Sequence, residues 1–92
     1  MASLHPDQGA RVVLERESGD ASGARYRVTV YEPNEVSYAT SADLGDAVRI
    51  EGWSAEPAAW IEVFVERLLK SHAKKHAGGP WPRKVTRWRE ER

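Results

Sequence analysis

Two histidines, His72 and His76, are the first candidates for chemistry, because the segment HAKKH places them four residues apart on one face of a helix. Helical zinc sites use the same spacing, completed by a third ligand and, in zincins, by a glutamate beside the first histidine. Here position 73 is alanine, and the two intervening lysines would repel a cation. We therefore expect no metal at this pair, and we interpret both rings as solvated near the C-terminus of a helix, where positive charge is favourable.

A serine motif and a glycine pair also resemble catalytic signatures. Ser54 lies in the segment GWSAE, which resembles the nucleophile elbow of hydrolases except that Glu56 replaces the last glycine. The chain is too short for the sheet that exposes such a serine, so we expect Ser54 to cap a helix instead. Gly78-Gly79 follows a helical pattern and lacks the ending of a phosphate loop. The sequence thus predicts no catalytic, cofactor-binding or metal-ligating residue.

The basic segment Lys70–Arg92 holds the remaining candidates, with eight lysines and arginines beside two tryptophans. Cationic side chains neutralise phosphates, and tryptophan rings offer faces on which unpaired bases stack. No signature of a known nucleic-acid-binding module accompanies them. The alternative is that the tryptophans complete the core. The candidate residues for binding an anion or a partner are Lys70, Lys74, Lys75, Arg83, Lys84, Arg87, Arg89, Trp81 and Trp88.

The formal charge of the chain is zero, from 14 basic and 14 acidic residues, but the two signs are separated along the sequence. Residues 1–66 contain five arginines and twelve acids, a net charge of −7, whereas residues 67–92 contain nine basic residues and two acids, a net charge of +7. Such asymmetry indicates an anionic partner for the basic segment. The simpler interpretation, which the sequence favours, is that the acidic body and the basic segment neutralise each other once the chain is folded.

Four runs of alternating or apolar residues predict strands at Arg11–Glu17, Arg25–Glu32, Val36–Ser41 and Ala47–Trp53. Seven small or polar residues between the first two runs predict a flexible hairpin loop rather than a tight turn, and turn residues at 32–35 and 43–46 join the others. The pattern is typical of an antiparallel meander with one apolar face to be covered. Tyr31 and Trp53 fall on its outer face.

The covering element is a helix that begins after Ser54 and ends before Gly78-Gly79-Pro80. Its apolar residues recur at helical spacing, at Ile61, Phe64, Val65, Leu68 and Leu69. No large apolar residue follows Leu69 within the helix. We therefore expect the last two turns to project past the sheet or to be fully solvated.

Residues 83–89 (RKVTRWR) predict a fifth strand at an edge of the sheet, parallel to the fourth strand after a crossover through the helix. A disordered basic tail is the alternative. The fold class expected is α+β in the order β-β-β-β-α-β, a four-stranded antiparallel meander covered on one face by a single long helix and followed by a short fifth strand. A flexible leader at residues 1–10 precedes a single α+β domain at residues 11–92.

Composition excludes several classes of protein. The chain has no cysteine, which excludes disulfides, thiolate–zinc sites and cysteine nucleophiles. The N-terminal residues have neither the basic nor the apolar region of a signal peptide, and no apolar run is long enough for a membrane span. We expect a cytoplasmic protein.

The function expected is that of a small non-catalytic binding module for another protein or for a second copy of itself, as a homodimer. An outer sheet face carrying Tyr31 and Trp53 and an arginine-rich edge strand support this interpretation. The alternative is a nucleic-acid-binding accessory domain that uses the basic segment. An enzyme ranks third, since it would need a site on the helix-free face of the sheet together with His72, His76 or the tyrosines.

Overall fold

The structure, a computed structural model, describes residues 5–90. Five strands and one helix follow each other as β1 (Ala10–Asp20), β2 (Gly23–Tyr31), β3 (Ser37–Leu44), β4 (Val48–Ile50), α1 (Ala59–His76) and β5 (Lys84–Arg89). The strands form one antiparallel sheet in the order β4-β3-β2-β1-β5. This arrangement confirms the expected α+β class. Within residues 5–90, no helix is long and apolar enough to cross a membrane.

The core lies between α1 and one face of the sheet. Residues that pair across antiparallel strands point to the same face of the sheet, so Leu14, Val28 and Thr40 form one row across β1, β2 and β3. Residues two positions before or after them in each strand point to this face as well. The helix presents Ile61 and Val65, both fully buried, against these rows. The opposite face has no element packed on it in the described part of the chain, and we call it the open face.

The fifth strand exists at a sheet edge, but its neighbour differs from the expectation. β5 points in the same direction as β4, yet it lies at the far edge and pairs antiparallel with β1. This pairing places Val85 beside Leu14, where it packs against the core. The helix α1 therefore connects the two opposite edges of the sheet, from β4 to β5. The fifth strand pairs with β1 because this position lets Val85 pack against the core.

The first hairpin is longer and tighter than expected. β1 and β2 stay paired as far as Asp20 and Gly23, past a register shift between Arg16 and Ser18, so the predicted flexible loop at residues 18–24 is wrong. Asp20 Oδ1 accepts hydrogen bonds from the Ser22 backbone N–H at 2.8 Å and from the Gly23 N–H at 3.2 Å. The Asp20 carbonyl also accepts from the Trp81 indole N–H at 2.9 Å, so a distant residue stabilises the extension.

The chain between β4 and α1 also departs from the prediction. Trp53 turns away from the open face and packs edge-on against Tyr38, with ring centroids 5.7 Å apart. Ser54 does not cap the helix; its hydroxyl accepts a hydrogen bond from the Ala39 N–H at 2.9 Å, and α1 begins only at Ala59. The reason is that residues 51–54 keep bonding to β3 after β4 ends. β3 itself runs on to Leu44, so the turn predicted at 43–46 starts later.

The last turns of α1 are not an overhang. His72 and Ala73 are each 6% exposed and lie against the sheet, which contradicts the expectation of solvated final turns and of two solvated histidines. A buried polar partner, the Tyr26 hydroxyl, makes burial of the imidazole possible. The helix ends at His76, as the following glycines predict, and Gly78 and Gly79 both adopt positive φ.

Part of the predicted flexible leader lies outside the described residues, as do Glu91 and Arg92 of the basic segment. Of the described part, His5 Nδ1 hydrogen-bonds to the Glu32 carbonyl at 2.8 Å, and the Gln8 carbonyl accepts from the indole N–H of Trp88 at 2.9 Å. Residues 5–8 therefore lie along the open face. The flexibility of the leader and the single-domain boundary stay predictions.

Candidate functional site

A groove runs between α1 and the edge strand β5, on the side of the helix that lies away from β3 and β4. It consists of three adjoining depressions of about 450, 470 and 290 Å³. The first two share Leu68, Ser71 and Arg87, and the last two share Phe64 and Arg67, among others. We call this surface the α1–β5 groove. Its cationic lining residues are Arg67, Lys75, Lys84, Arg87 and Arg89.

The helix contributes one flank of the groove through its periodicity. Phe64, Leu68, Ser71 and Lys75 are spaced by four, three and four residues, so they fall on one stripe, and Arg67 borders it. The acids Glu62 and Glu66 and their neighbour Lys70 fall on the opposite flank. Helical spacing therefore separates the charges of α1 and directs cations toward β5.

The edge strand contributes the other flank. Val85, Arg87 and Arg89 pair with core residues of β1, so their side chains point to the helix side of the sheet. Arg89 lies over the Phe64 ring, with its guanidinium carbon 5.8 Å from the centroid. Alternation along β5 thus supplies two guanidinium groups and one apolar side chain to the groove.

No strand within residues 5–90 pairs with the outer side of β5. The Arg16 N–H donates to the Arg83 carbonyl at 2.8 Å, and this bond sets the phase of the ladder. The N–H and C=O groups of Lys84, Thr86 and Trp88 consequently point away from the sheet. Arg87 Nη1 donates to the Thr86 carbonyl at 2.9 Å and covers one of these groups. The other edge is much shorter, since β4 has three residues.

The cations of the groove are not neutralised within residues 5–90. The ion pairs join Arg25 to Glu17, Asp43 and Glu51, and Lys70 to Glu66 at 2.8 Å. None of these pairs includes a cation of the groove. Glu90 is the one carboxylate in its described lining, and it accepts a hydrogen bond from Gln8 Nε2 at 3.0 Å. The groove is therefore strongly electropositive.

Five of the residues singled out in the sequence line the groove: Lys75, Lys84, Arg87, Trp88 and Arg89. Lys74 and Arg83 are exposed but do not line the groove, and Lys70 is paired on the other flank of the helix. Trp88 is 47% exposed, with its ring on the open face beside the outer edge of β5.

Trp81 does not belong to this surface. It is 4% exposed, packs in the core and donates its indole N–H to the Asp20 carbonyl. Its own carbonyl accepts from Arg16 Nη1 at 2.8 Å. Trp81 therefore offers no face to a ligand and instead anchors the connection that leads into β5.

Arg67, Ser71 and Phe64 are among the groove residues that sequence reasoning missed. Arg67 was counted only as charge, and Phe64 was assigned to the core. The available signal was the helical stripe 64-68-71-75, which is offset from the buried stripe of Ile61, Val65 and Leu69. Half-buried apolar residues beside a fully buried stripe indicate that one side of the helix is only partly covered by the sheet.

A buried hydrogen-bond chain holds the Lys75 end of the groove. Tyr26 donates its hydroxyl proton to the Pro82 carbonyl, so His72 Nε2–H must donate to the Tyr26 oxygen, 3.1 Å away. Burial, together with the nearby charges of His76, Arg87 and Lys75, lowers the pKa of His72 to about 4. The ring is therefore neutral at pH 7 and serves as a structural donor.

The histidine pair has one of its ring nitrogens already engaged by a hydrogen bond. The rings of His72 and His76 lie 4.6 Å apart between centroids, but His72 Nε2 is engaged by Tyr26. Residues 5–90 contain no group of three or more histidine, aspartate or glutamate side chains able to hold a metal ion.

Comparison with known proteins yields no relative. No protein-family model, no curated protein and no solved structure matches the chain. The function must therefore be argued from the α1–β5 groove and from the strand edge beside it.

Proposed function

We propose that this protein is a non-catalytic interaction module that binds an extended, acidic segment of a partner protein as a sixth strand along β5. One observation carries the proposal: β5 has an unpaired outer edge among the described residues, and the same strand borders a groove whose cations have no ion-pair partner there. Strand addition of this kind is a recurring mode of peptide recognition.

The backbone of β5 supplies the general part of the affinity. The outward N–H and C=O groups of Lys84, Thr86 and Trp88 match the hydrogen-bonding groups of an added strand. Arg87 would release the Thr86 carbonyl and turn its guanidinium toward the ligand. Backbone hydrogen bonds do not depend on the side chains of the added strand, so specificity for its sequence must come from the groove and the open face.

Side chains of the added strand would alternate between two surfaces. Every second side chain would enter the groove, where Phe64, Leu68 and Val85 form an apolar floor below the cations. The others would lie over the open face near Trp88. Over Phe64–Lys75 the groove is about 17 Å long, which corresponds to about five residues of extended chain.

Charge favours a partner protein over a second copy of this chain as the occupant. Two-fold pairing of β5 with β5 would bring the arginines of both copies together, and like charges facing each other across strands destabilise the pairing. Glutamate or aspartate side chains instead complement Arg67, Arg87 and Arg89. The proposal therefore commits to an acidic segment of another protein.

Nucleic acid is the competing occupant of the same cations. Binding of single strands needs aromatic faces as well as charge. Of the two tryptophans considered for stacking, Trp81 is buried and Trp88 alone is exposed. Since the free edge of β5 serves a peptide backbone and has no role for a nucleotide, we favour the peptide.

The direct test is a titration of the ¹⁵N-labelled protein, followed by amide chemical shifts, with a blocked peptide of about ten residues in which glutamate alternates with threonine. We expect saturable shifts at the amides of Lys84, Thr86 and Trp88 and at Arg67 and Ser71, together with protection of the outward amides from hydrogen exchange. A peptide with glutamine in place of glutamate is the ligand control.

Matched variants locate the site. Arg87→Gln should weaken binding at least about fivefold, because it removes a charge-assisted contact. Arg49→Gln, which neutralises an exposed arginine on β4, should not. Absence of shifts along β5 at low salt would overturn the proposal. Preferential binding of an oligothymidylate at the same residues would replace it with the nucleic-acid function.

A further inference from the structure

We propose that Ser71 marks the centre of a subsite for a phosphomonoester, carried by a phosphorylated residue of the added strand. This inference deepens the proposed function and rests on it for the source of the phosphate. Nothing in the sequence motifs assigns a role to Ser71. Its position within the groove does.

Ser71 lies where two depressions of the groove meet, because it lines both the one that contains Lys75 and the one that contains Arg89. Arg87 is the residue of β5 that also lines both. The two residues therefore face the same central position from opposite flanks.

Two more cations flank this position along the helix. Arg67 and Lys75 are four residues before and after Ser71, one turn away on the same side. A group bound at Ser71 is thus within reach of two guanidinium groups, one ammonium group and one hydroxyl. All three cations lack an ion-pair partner in the described part of the chain.

Carboxylates are scarce at the same position. Among residues 5–90, no acid lines the depression that contains Lys75. The neighbouring depression is lined by Glu90, which is bonded by Gln8. The hydroxyl of Ser71 makes no hydrogen bond among residues 5–90, so it is available as a donor.

The charge of the subsite fits a phosphomonoester better than a carboxylate. Three cations around one position exceed what a single carboxylate neutralises, whereas a phosphorylated side chain carries about −1.5 to −2 charges at pH 7 and three acceptor oxygens. Arginine pairs with such a group through two parallel hydrogen bonds. A phosphodiester of nucleic acid carries one charge and presents fewer free oxygens.

The test compares three peptides that differ at one central position, where they carry serine, glutamate or phosphoserine within the alternating glutamate–threonine sequence. Dissociation constants are measured by calorimetry. We expect the phosphoserine peptide to bind at least about tenfold more tightly than the glutamate peptide. Ser71→Ala and Arg67→Gln should reduce this advantage severalfold, while Arg49→Gln should preserve it.

Free phenyl phosphate separates the subsite from the strand. If it shifts the Ser71 and Arg87 amides although no peptide binds, the subsite stands and strand addition is wrong. If glutamate and phosphoserine peptides bind equally, strand addition stands and the subsite is wrong. Equal competition by dimethyl phosphate or an oligothymidylate would also overturn the subsite, because the groove would then not distinguish a dianion from a diester.

Discussion

The Tyr26 hydroxyl accepts a hydrogen bond from the buried ring of His72 at 3.1 Å and donates one to the Pro82 carbonyl. The two rings meet edge-on, with centroids 5.0 Å apart. One phenol therefore joins the middle of the sheet, the last turns of α1 and the start of β5. This junction positions both flanks of the α1–β5 groove.

The buried histidine should make the protein sensitive to acid. The pKa of His72 is about 4 in the folded state and near 6.5 when the chain is unfolded, so the unfolded state binds more protons between these values. The free energy of unfolding should therefore fall as the pH is lowered from about 6.5 to 4, by up to about 3 kcal/mol. Urea unfolding at a series of pH values measures this loss.

The control variant replaces His72 by glutamine, whose side-chain amide can still donate a hydrogen bond but does not titrate. His72→Gln should flatten the pH dependence in that window, whereas the same exchange at His76 should retain it. The carboxyl groups of Asp20 and Glu66 have pKa values lowered by hydrogen bonds to Ser22 and Lys70, so their loss of stabilisation falls at lower pH. A His72→Gln protein that loses stability with acid as the wild type does would contradict the assignment.

The two buried tyrosines should respond oppositely to loss of their hydroxyls. Tyr26→Phe leaves the His72 ring nitrogen and the Pro82 carbonyl without partners and should cost about 1–3 kcal/mol of unfolding free energy. The hydroxyl of Tyr38 is buried and makes no hydrogen bond of normal geometry within residues 5–90, although burial and the nearby Glu32 carboxylate raise its pKa. Tyr38→Phe should therefore be neutral or stabilising. Thermal unfolding of the two variants tests the contrast, and equal destabilisation would refute it.

A close backbone approach between β2 and β3 should make one glycine irreplaceable. A Cβ atom at Gly23 would overlap the Leu44 carbonyl oxygen, whereas one at Gly52 would meet no atom of the described residues within 4 Å. Gly23→Ala should destabilise the protein by about 1–3 kcal/mol because the paired strands must separate. Gly52→Ala should change stability by less than about 0.5 kcal/mol. Chemical denaturation of the matched pair is the measurement.

Binding at β5 should be visible in tryptophan fluorescence. Trp88 is 47% exposed at the outer edge, and an added strand would shield its ring from water. The emission should shift to shorter wavelength on addition of the acidic peptide, and Trp88→Phe should abolish the shift while leaving affinity within about threefold. Raising the salt concentration from about 50 to 300 mM should weaken both the affinity for the acidic peptide and the emission shift at a given peptide concentration, because salt screens the attraction between surface charges. A salt-independent shift would contradict the cationic site.

Local pattern was sufficient for the elements that depend on neighbours in the sequence. The alternation in Arg25–Glu32 corresponds to β2, and the apolar spacing of Ile61, Val65 and Leu69 defines the buried face of α1. Gly78 ends the helix as expected. Periodicity of two or 3.6 residues is a property of the chain itself, which is why these features could be predicted.

The candidate site was predicted only as a charged segment. The sequence indicated that lysines and arginines accumulate after Leu69, but it could not separate those that line the groove from Lys70, which pairs with Glu66. Nor could it show that Arg67 and Ser71 belong to the site. Whether a basic residue of α1 lines the groove depends on which side of the helix faces β5. The packing of the helix across the sheet determines that side.

The sequence alone determined the class of fold, the number of strands and the accumulation of positive charge toward the C-terminus. Tertiary structure decided that β5 pairs with β1, that His72 and Trp81 are buried, and that the first hairpin closes tightly at Asp20. The burial of His72 and Trp81 and the closing of the hairpin rest on hydrogen bonds between residues 46 to 65 positions apart, and the residues that pair between β1 and β5 lie still further apart in the sequence. Local propensity carries no information about such pairs, because each side chain reaches its partner only after the sheet and the helix have assembled.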